Sequence, residues 1–163
     1  MATMAFADGP AVGEPAPDFS SLATSGRQFS LSENSGRPVL LSFWSPWCSF
    51  ERQELSFLKA VNERYPDVLI AIVDAESGTP SIRSLTMISR SLEEWGIDAR
   101  VIVDKGLEVT ELYNITTLPT SMVIDPTGRI VHWQANYFKG ADAEVNASLD
   151  RVYSVSMVKY TVN

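Results

Sequence analysis

Two short apolar runs constrain the fold of this chain more than any other feature. They are Val39-Leu40-Leu41-Ser42-Phe43-Trp44 and Val68-Leu69-Ile70-Ala71-Ile72-Val73. Each is far below the ~20 apolar residues that would span a membrane, and each reads as a strand buried on both faces. Ser45-Pro46 stops the first run. Phe50, Phe57, Leu58, Val61 and Tyr65 then recur at helical spacing until Pro66 ends the pattern. Strand, helix and strand in this order make a crossover unit, the hallmark of an α/β sheet.

The flanking segments extend that sheet. Phe19–Leu22 and Gln28–Leu31 surround the turn signal Thr24-Ser25-Gly26-Arg27, which predicts an N-terminal hairpin. Leu85, Ile88, Leu92 and Trp95 fall on one helix face closed by Gly96. A short strand over Arg100–Val103 and a short helix over Leu107–Tyr113 follow. Thr120–Ile124 and Ile130–Asn136 flank Asp125-Pro126-Thr127-Gly128, a hairpin that makes the sheet mixed. Val145, Leu149, Val152 and Tyr153 give a last helix face. With 163 residues and 45% hydrophobic content, one domain can bury a full core. The expected division is an extended lead-in over 1–11, a domain over 12–153 and a tail over 154–163. The tail reads equally as an edge strand or a helix extension.

Charge and cysteine content remove several classes of function. The net charge is 13 − 20 = −7, so a nucleic-acid or anionic-membrane partner lacks its basic surface. Met1–Ala7 has no positive stretch and is broken by Gly9 and Pro10, unlike a signal peptide. The single cysteine, Cys48, leaves no internal disulfide. The single histidine, His132, leaves no Cys/His metal set, and neither a metal nor an organic cofactor is implied. His132 reads as a residue on a strand face near Trp133 rather than a partner for Cys48.

Cys48 is the residue that points to chemistry. It lies at a strand-to-helix junction, where unpaired backbone N–H groups and the positive helix end favour an anion. A thiolate is the anion available, and the thiolate is the nucleophilic form. The segment Phe43-Trp44-Ser45-Pro46-Trp47-Cys48-Ser49-Phe50-Glu51-Arg52-Gln53-Glu54-Leu55 resembles the active-site stretch of thioredoxin-like thiol–disulfide oxidoreductases of the TlpA/ResA type. Those proteins belong to the wider redoxin (AhpC/TSA) group that includes peroxiredoxins. Gly13-Glu14-Pro15-Ala16-Pro17-Asp18-Phe19 and Gly36-Arg37-Pro38-Val39-Leu40-Leu41 resemble that group's lead-in and first core strand. Tyr113-Asn114-Ile115-Thr116-Thr117-Leu118-Pro119-Thr120 resembles its cis-proline segment. The resemblance implies a thioredoxin-like fold, a central mixed sheet flanked by helices. It also implies partners that are protein or small-molecule thiols and disulfides, and a location outside the cytoplasm.

One departure changes the expected chemistry. The family's Cys-x-x-Cys reads Cys48-Ser49-Phe50-Glu51 here, so Glu51 stands where the second cysteine would. Attack by Cys48 to give a mixed disulfide survives, but an external thiol must resolve it. Glu51 is either a helix cap or a proton carrier for Cys48. A carboxylate at ~6 Å with dielectric ~40 opposes the thiolate by ~1.4 kcal/mol, and the helix end returns ~0.3–1 kcal/mol. The two nearly cancel, and Glu51→Gln should make Cys48 more acidic.

The resemblance also implies a cis Leu118–Pro119 bond facing Cys48, with Leu118, Pro119 and Thr120 forming a platform for an extended substrate strand. A strand-opening proline is the plainer reading of Pro119. Trp44 reads as core and Trp47 as a partly exposed rim for a partner. Glu54 reads as a solvent-facing charge. Asp74 and Glu76 are expected in the loop after the second buried strand. Two alternatives stay open: a redox-inactive binding module, and a peroxiredoxin-like peroxidase. Cys-x-x-Glu and Ser45 fit the peroxidase, which would need an arginine beside the thiolate, Arg100 or Arg129 by sequence order.

Overall fold

The computed structural model describes residues 9–48, 51–75, 81–136 and 140–160; for residues 51 and 156–160 it describes the backbone alone. Strands β1 (Ser20–Leu22) and β2 (Gln28–Ser30) form the N-terminal hairpin. β3 (Val39–Trp44), α1 (Glu51–Arg64) and β4 (Leu69–Asp74) form the crossover unit. Then come α2 (Ile82–Trp95), β5 (Arg100–Ile102), α3 (Glu108–Leu112), β6 (Thr120–Ile124), β7 (Ile130–Ala135) and α4 (Ala141–Tyr160). Gly96 closes α2 in the left-handed conformation at φ 67°, a backbone state that glycine adopts without a Cβ penalty. Residues 154–160 continue α4, the helix-extension reading of that part of the tail, and residues 161–163 lie outside the described residues.

The five-stranded sheet runs β5-β4-β3-β6-β7, with β3 at its centre. β3, β4 and β5 are parallel, and β6 and β7 are antiparallel additions. Every residue of β3 and β4 is buried, as a two-faced strand requires. Alternate residues divide between two apolar layers. Leu40, Trp44, Ile70, Ile72 and Val123 meet Leu55, Leu58 and Val61 of α1, Ile88 and Leu92 of α2, and Val145 and Leu149 of α4. Leu41, Phe43, Ala71, Val73 and Met122 meet Phe19 and Phe29 of the hairpin, Val109 of α3, and Tyr113.

Both edges of the sheet are covered in part. The Val103 N–H donates to the Leu22 carbonyl, and the Thr24 N–H to the Val101 carbonyl, so the hairpin lies along β5. The lead-in covers the start of β7, where the Ile130 N–H donates to the Glu14 carbonyl. Such covers remove unpaired edges that would otherwise template aggregation. No helix among the described residues is long and apolar enough to cross a membrane.

Candidate active site

The site forms where the central strand ends. Beyond Trp44 the chain turns through Ser45–Cys48, with the Cys48 N–H donating to the Ser45 carbonyl at 3.0 Å. The Trp47 N–H donates to Ser45 Oγ at 3.3 Å. Ser45 is buried, Cys48 is half-buried against the α1-side core, and Trp47 is 54% exposed. The Arg83 guanidinium of α2 stacks over the Trp47 ring at 5.6 Å. Trp44 is wholly buried, as its place at the end of the strand suggested. Ser49, Phe50 and the Glu51 side chain lie outside the described residues, and with them the expected cap or proton-carrier role of Glu51.

Sheet register brings the proline segment to the same place. β3 and β6 are antiparallel with Phe43 opposite Thr120, so Pro119 comes level with Trp44. The Leu118–Pro119 bond is cis, as the resemblance implied. Pro119 is buried and Leu118 partly exposed. The Thr120 hydroxyl donates to the Thr117 carbonyl at 2.7 Å, and the Asn136 N–H donates to the Pro119 carbonyl at 2.9 Å. Leu118 enters no backbone hydrogen bond among the described residues. Thr120 itself is 3% exposed, so its side chain is turned into the protein rather than toward a bound segment.

Glu54 differs from expectation. It is not solvent-facing but 4% exposed, on the face of α1 turned to the sheet. Ser121 Oγ donates to Ser42 Oγ at 3.1 Å, and Ser42 Oγ donates to Glu54 Oε1 at 3.0 Å. Ser42 and Ser121 are cross-strand partners, so the two hydroxyls and the carboxyl make one buried chain. Burial pushes the Glu54 carboxyl above the ordinary carboxylate range. The hydrogen bond from Ser42 pulls it back, the Asp142 charge pushes it further up, and Ser121 pulls it down. The signal for this network was present in the sequence. Ser42 interrupts an otherwise apolar strand, and a buried hydroxyl there demands a partner.

Other candidates are placed away from Cys48 or differently from expectation. Arg129 lies in the β6–β7 turn, next to the end of β6 that pairs with Val39, and its guanidinium donates to the Gly13 carbonyl at 2.9 Å. That is the opposite end of β3 from Cys48. Arg100 opens the outer strand β5, with its guanidinium on Asp98 at 2.9 Å. Neither arginine supplies the thiolate partner that the peroxidase alternative requires. His132 pairs with Val123, which pairs with Leu40, four residues before Trp44. At ~3.3 Å per residue this is ~13 Å along the strand, two strands over, so His132 is no base for Cys48. Asp74 belongs to β4 rather than to a loop, is fully buried, and accepts from Ser84 Oγ at 2.9 Å. Glu76 lies outside the described residues. Among the described residues, no three of His, Cys, Asp and Glu gather as a metal site.

Known proteins share this fold. The AhpC/TSA family profile matches residues 12–133. The thiol-disulfide oxidoreductase ResA of Geobacillus kaustophilus is 28% identical over 120 residues, covering 74% of this chain and 67% of that one. A Chlorobium tepidum structure assigned as a thiol:disulfide interchange protein DsbE superposes with TM-score 0.73 at 22% identity, over 88% of this chain and 98% of its own. A secreted Mycobacterium tuberculosis disulfide oxidoreductase superposes with TM-score 0.62 at 20% identity, over 77% and 95%. The two superpositions speak for the fold, and the profile over most of the chain speaks for descent. The chain belongs to the AhpC/TSA family, and within it to the thioredoxin-like oxidoreductases of the ResA/TlpA type, with a site that holds a single cysteine.

Proposed function

We propose that the protein exchanges disulfides one thiol at a time, through Cys48, with extended protein segments outside the cytoplasm. In the first step the Cys48 thiolate attacks one sulfur of a substrate disulfide. A Cys48–substrate bond forms, and the other sulfur leaves as a thiolate. An external thiolate then attacks the substrate sulfur, and Cys48 leaves with its electron pair restored. The net change is exchange of one disulfide for another, and the external thiol takes the part of the missing second cysteine. The observation that carries this reading is the position of Cys48. The one sulfur nucleophile of the sequence sits in the turn that follows Trp44, the residue level with Pro119, and directly after the exposed Trp47.

The supporting groups have distinct parts in the proposal. Leu118 offers its backbone to an extended substrate segment, a β-augmentation mode, with Pro119 and Thr120 fixing its position. Trp47 offers a flat apolar rim. Glu54, buried on the sheet side of α1, is the group that takes and returns the proton of Cys48. The secreted mycobacterial oxidoreductase and the TlpA/ResA resemblance support a place outside the cytoplasm.

The test is the pH dependence of Cys48 alkylation, with mass spectrometry after oxidised glutathione and after hydrogen peroxide. One glutathione adduct per chain, released by an added thiol and absent in Cys48→Ser, is the expected result. Fast sulfenic acid formation without exchange would replace this reading with a peroxidase. A thiol inert to all three reagents would replace it with a binding module.

A further inference from the structure

We infer that Asp142, in the first turn of α4 on the same face of the sheet as α1, sets the protonation of Glu54 across a cavity that holds one water and gives the Glu54 proton its route to solvent. The inference rests on the reading of Glu54 as the proton carrier for Cys48. A carboxyl that takes and returns a proton in a closed core needs an exit. Its neighbours toward the sheet, Ser42 and Ser121, form a chain of hydroxyls whose donors both point toward the carboxyl. That chain ends inside the core. On the other side the structure has a small opening of about 20 Å3. Its lining includes Glu54, Ser121, Gln134, Asn136 and Asp142, closed by Phe57 and Val145.

The size and the lining agree on the occupant. A cavity needs ~10–15 Å3 to hold one water, and a buried water needs two to four polar partners. Two carboxyls, one hydroxyl and two amides surround this one. Gln134 is held in place by donating to the Ala135 and Asn136 carbonyls at 3.0 and 3.1 Å. A hydrogen-bonded water here joins the buried Glu54 to Asp142, which is partly exposed in the first turn of α4.

Among the described residues, the charge that bears on Glu54 across the cavity is that of Asp142. Of the elements packed around Glu54, β3 and β6 present hydroxyls, β7 presents the Gln134 amide, and α4 presents the Asp142 carboxylate. His132 lies two residues before Gln134 on β7, and its charged neighbours are Glu144 and Arg151 of α4. The Asp142 charge therefore favours the protonated form of Glu54 and supports the effect of burial. Asp142 is a positioning residue: it acts on Cys48 only through Glu54.

The experiment is a carbon-13 NMR titration of the Glu54 carboxyl in the full chain, as wild type, Asp142→Asn and Asp142→Glu. Cys48 alkylation profiles are recorded for the same proteins, for Glu54→Gln, and for Glu54→Gln with Asp142→Asn. The Glu54 midpoint should move to lower pH in Asp142→Asn and stay near wild type in Asp142→Glu. The Cys48 profile should follow Asp142→Asn in wild type and ignore it when Glu54 is Gln. A long-lived water should show Overhauser contact with the Val145 methyls. An unmoved Glu54 midpoint, an equal Asp142→Asn effect without Glu54, or no such water overturns the inference. Failure of the parent reading is distinct: Glu54→Gln would leave the Cys48 profile unchanged while the Glu54 midpoint still responded to Asp142.

Discussion

Ser42→Ala tests the buried network most directly. Ser42 is fully buried, donates to Glu54 at 3.0 Å and accepts from Ser121 at 3.1 Å. Removing its hydroxyl breaks two hydrogen bonds, each worth ~0.5–1.5 kcal/mol net. The Ser121 hydroxyl can turn onto Glu54 and recover part of this, so the expected loss is ~1–2 kcal/mol with Glu54 protonated. The loss grows as pH rises through the Glu54 midpoint, because hydrogen bonds to a charged group are worth ~1.5–3 kcal/mol. The same conclusion follows from linkage: the Ser42 bond lowers the Glu54 pKa, so without it ionisation costs more. Urea unfolding reads the effect as a midpoint lowered by roughly 0.5–1 M, for m near 2 kcal/mol/M. In a Glu54→Met background the same substitution should cost less than ~0.5 kcal/mol, since no buried acceptor is then stranded. A Ser42→Ala cost that is equally large in both backgrounds, or that is flat with pH, would refute the hydrogen-bonded chain.

Further predictions follow from the same geometry. Because burial raises the Glu54 pKa above its ordinary 4.5, the unfolded chain ionises first as pH rises, and this drains stability above that pH. Glu54→Gln should therefore gain melting temperature over wild type between pH 5 and 8 and lose that advantage at about pH 3, read by calorimetry. Trp47→Ala, at a ring 54% exposed, should change stability by less than ~0.5 kcal/mol but raise the KM for a protein disulfide several-fold. An unchanged KM would remove Trp47 from the substrate rim. Arg129→Ala should leave the Cys48 alkylation profile unchanged, since its guanidinium holds the Gly13 carbonyl at the other end of the sheet. A shifted profile would return an arginine to the thiol.

The fold was legible because its strongest signals are local. Val39–Trp44 and Val68–Val73 are too short and too apolar for anything but central strands, and the structure buries every residue of β3 and β4. Gly96 ended α2 where a left-handed glycine was expected. The Leu118–Pro119 bond was legible only through resemblance, since nothing in a single proline distinguishes cis from trans. Glu54 was misread for a related reason. A glutamate on a helix pattern faces water in most proteins, and α1 alone gives no reason to turn it inward. The reason lies 12 residues upstream, in Ser42, and 79 residues downstream of that, in Ser121. Tertiary pairing of β3 with β6 is what makes the two serines one polar spot. The same long-range pairing carries Arg129 away from Cys48, which sequence order alone had left open.

The polar spot has an energetic meaning that bears on what the single cysteine is for. An apolar residue at Ser42, opposite another at Ser121, would continue the packing of Leu40 and Trp44 without a break. With a methionine or leucine at Glu54, the core would lose no hydrogen bond and would avoid a carboxyl whose ionisation burial opposes. Replacing buried polar groups by apolar groups of similar shape is commonly neutral or stabilising. The fold therefore does not need Glu54, and above its ordinary pKa it is less stable for having it. A redox-inactive binding module would require the groove beside Pro119 and the rim at Trp47, but no buried acid. Under the proposed function the buried acid has a use that a binding module lacks, exchanging a proton with Cys48 when the resting thiol forms its thiolate. On that proposal the Glu54 network is a sharper mark of an oxidoreductase than Cys48 alone, because a lone cysteine also packs well as a small apolar residue.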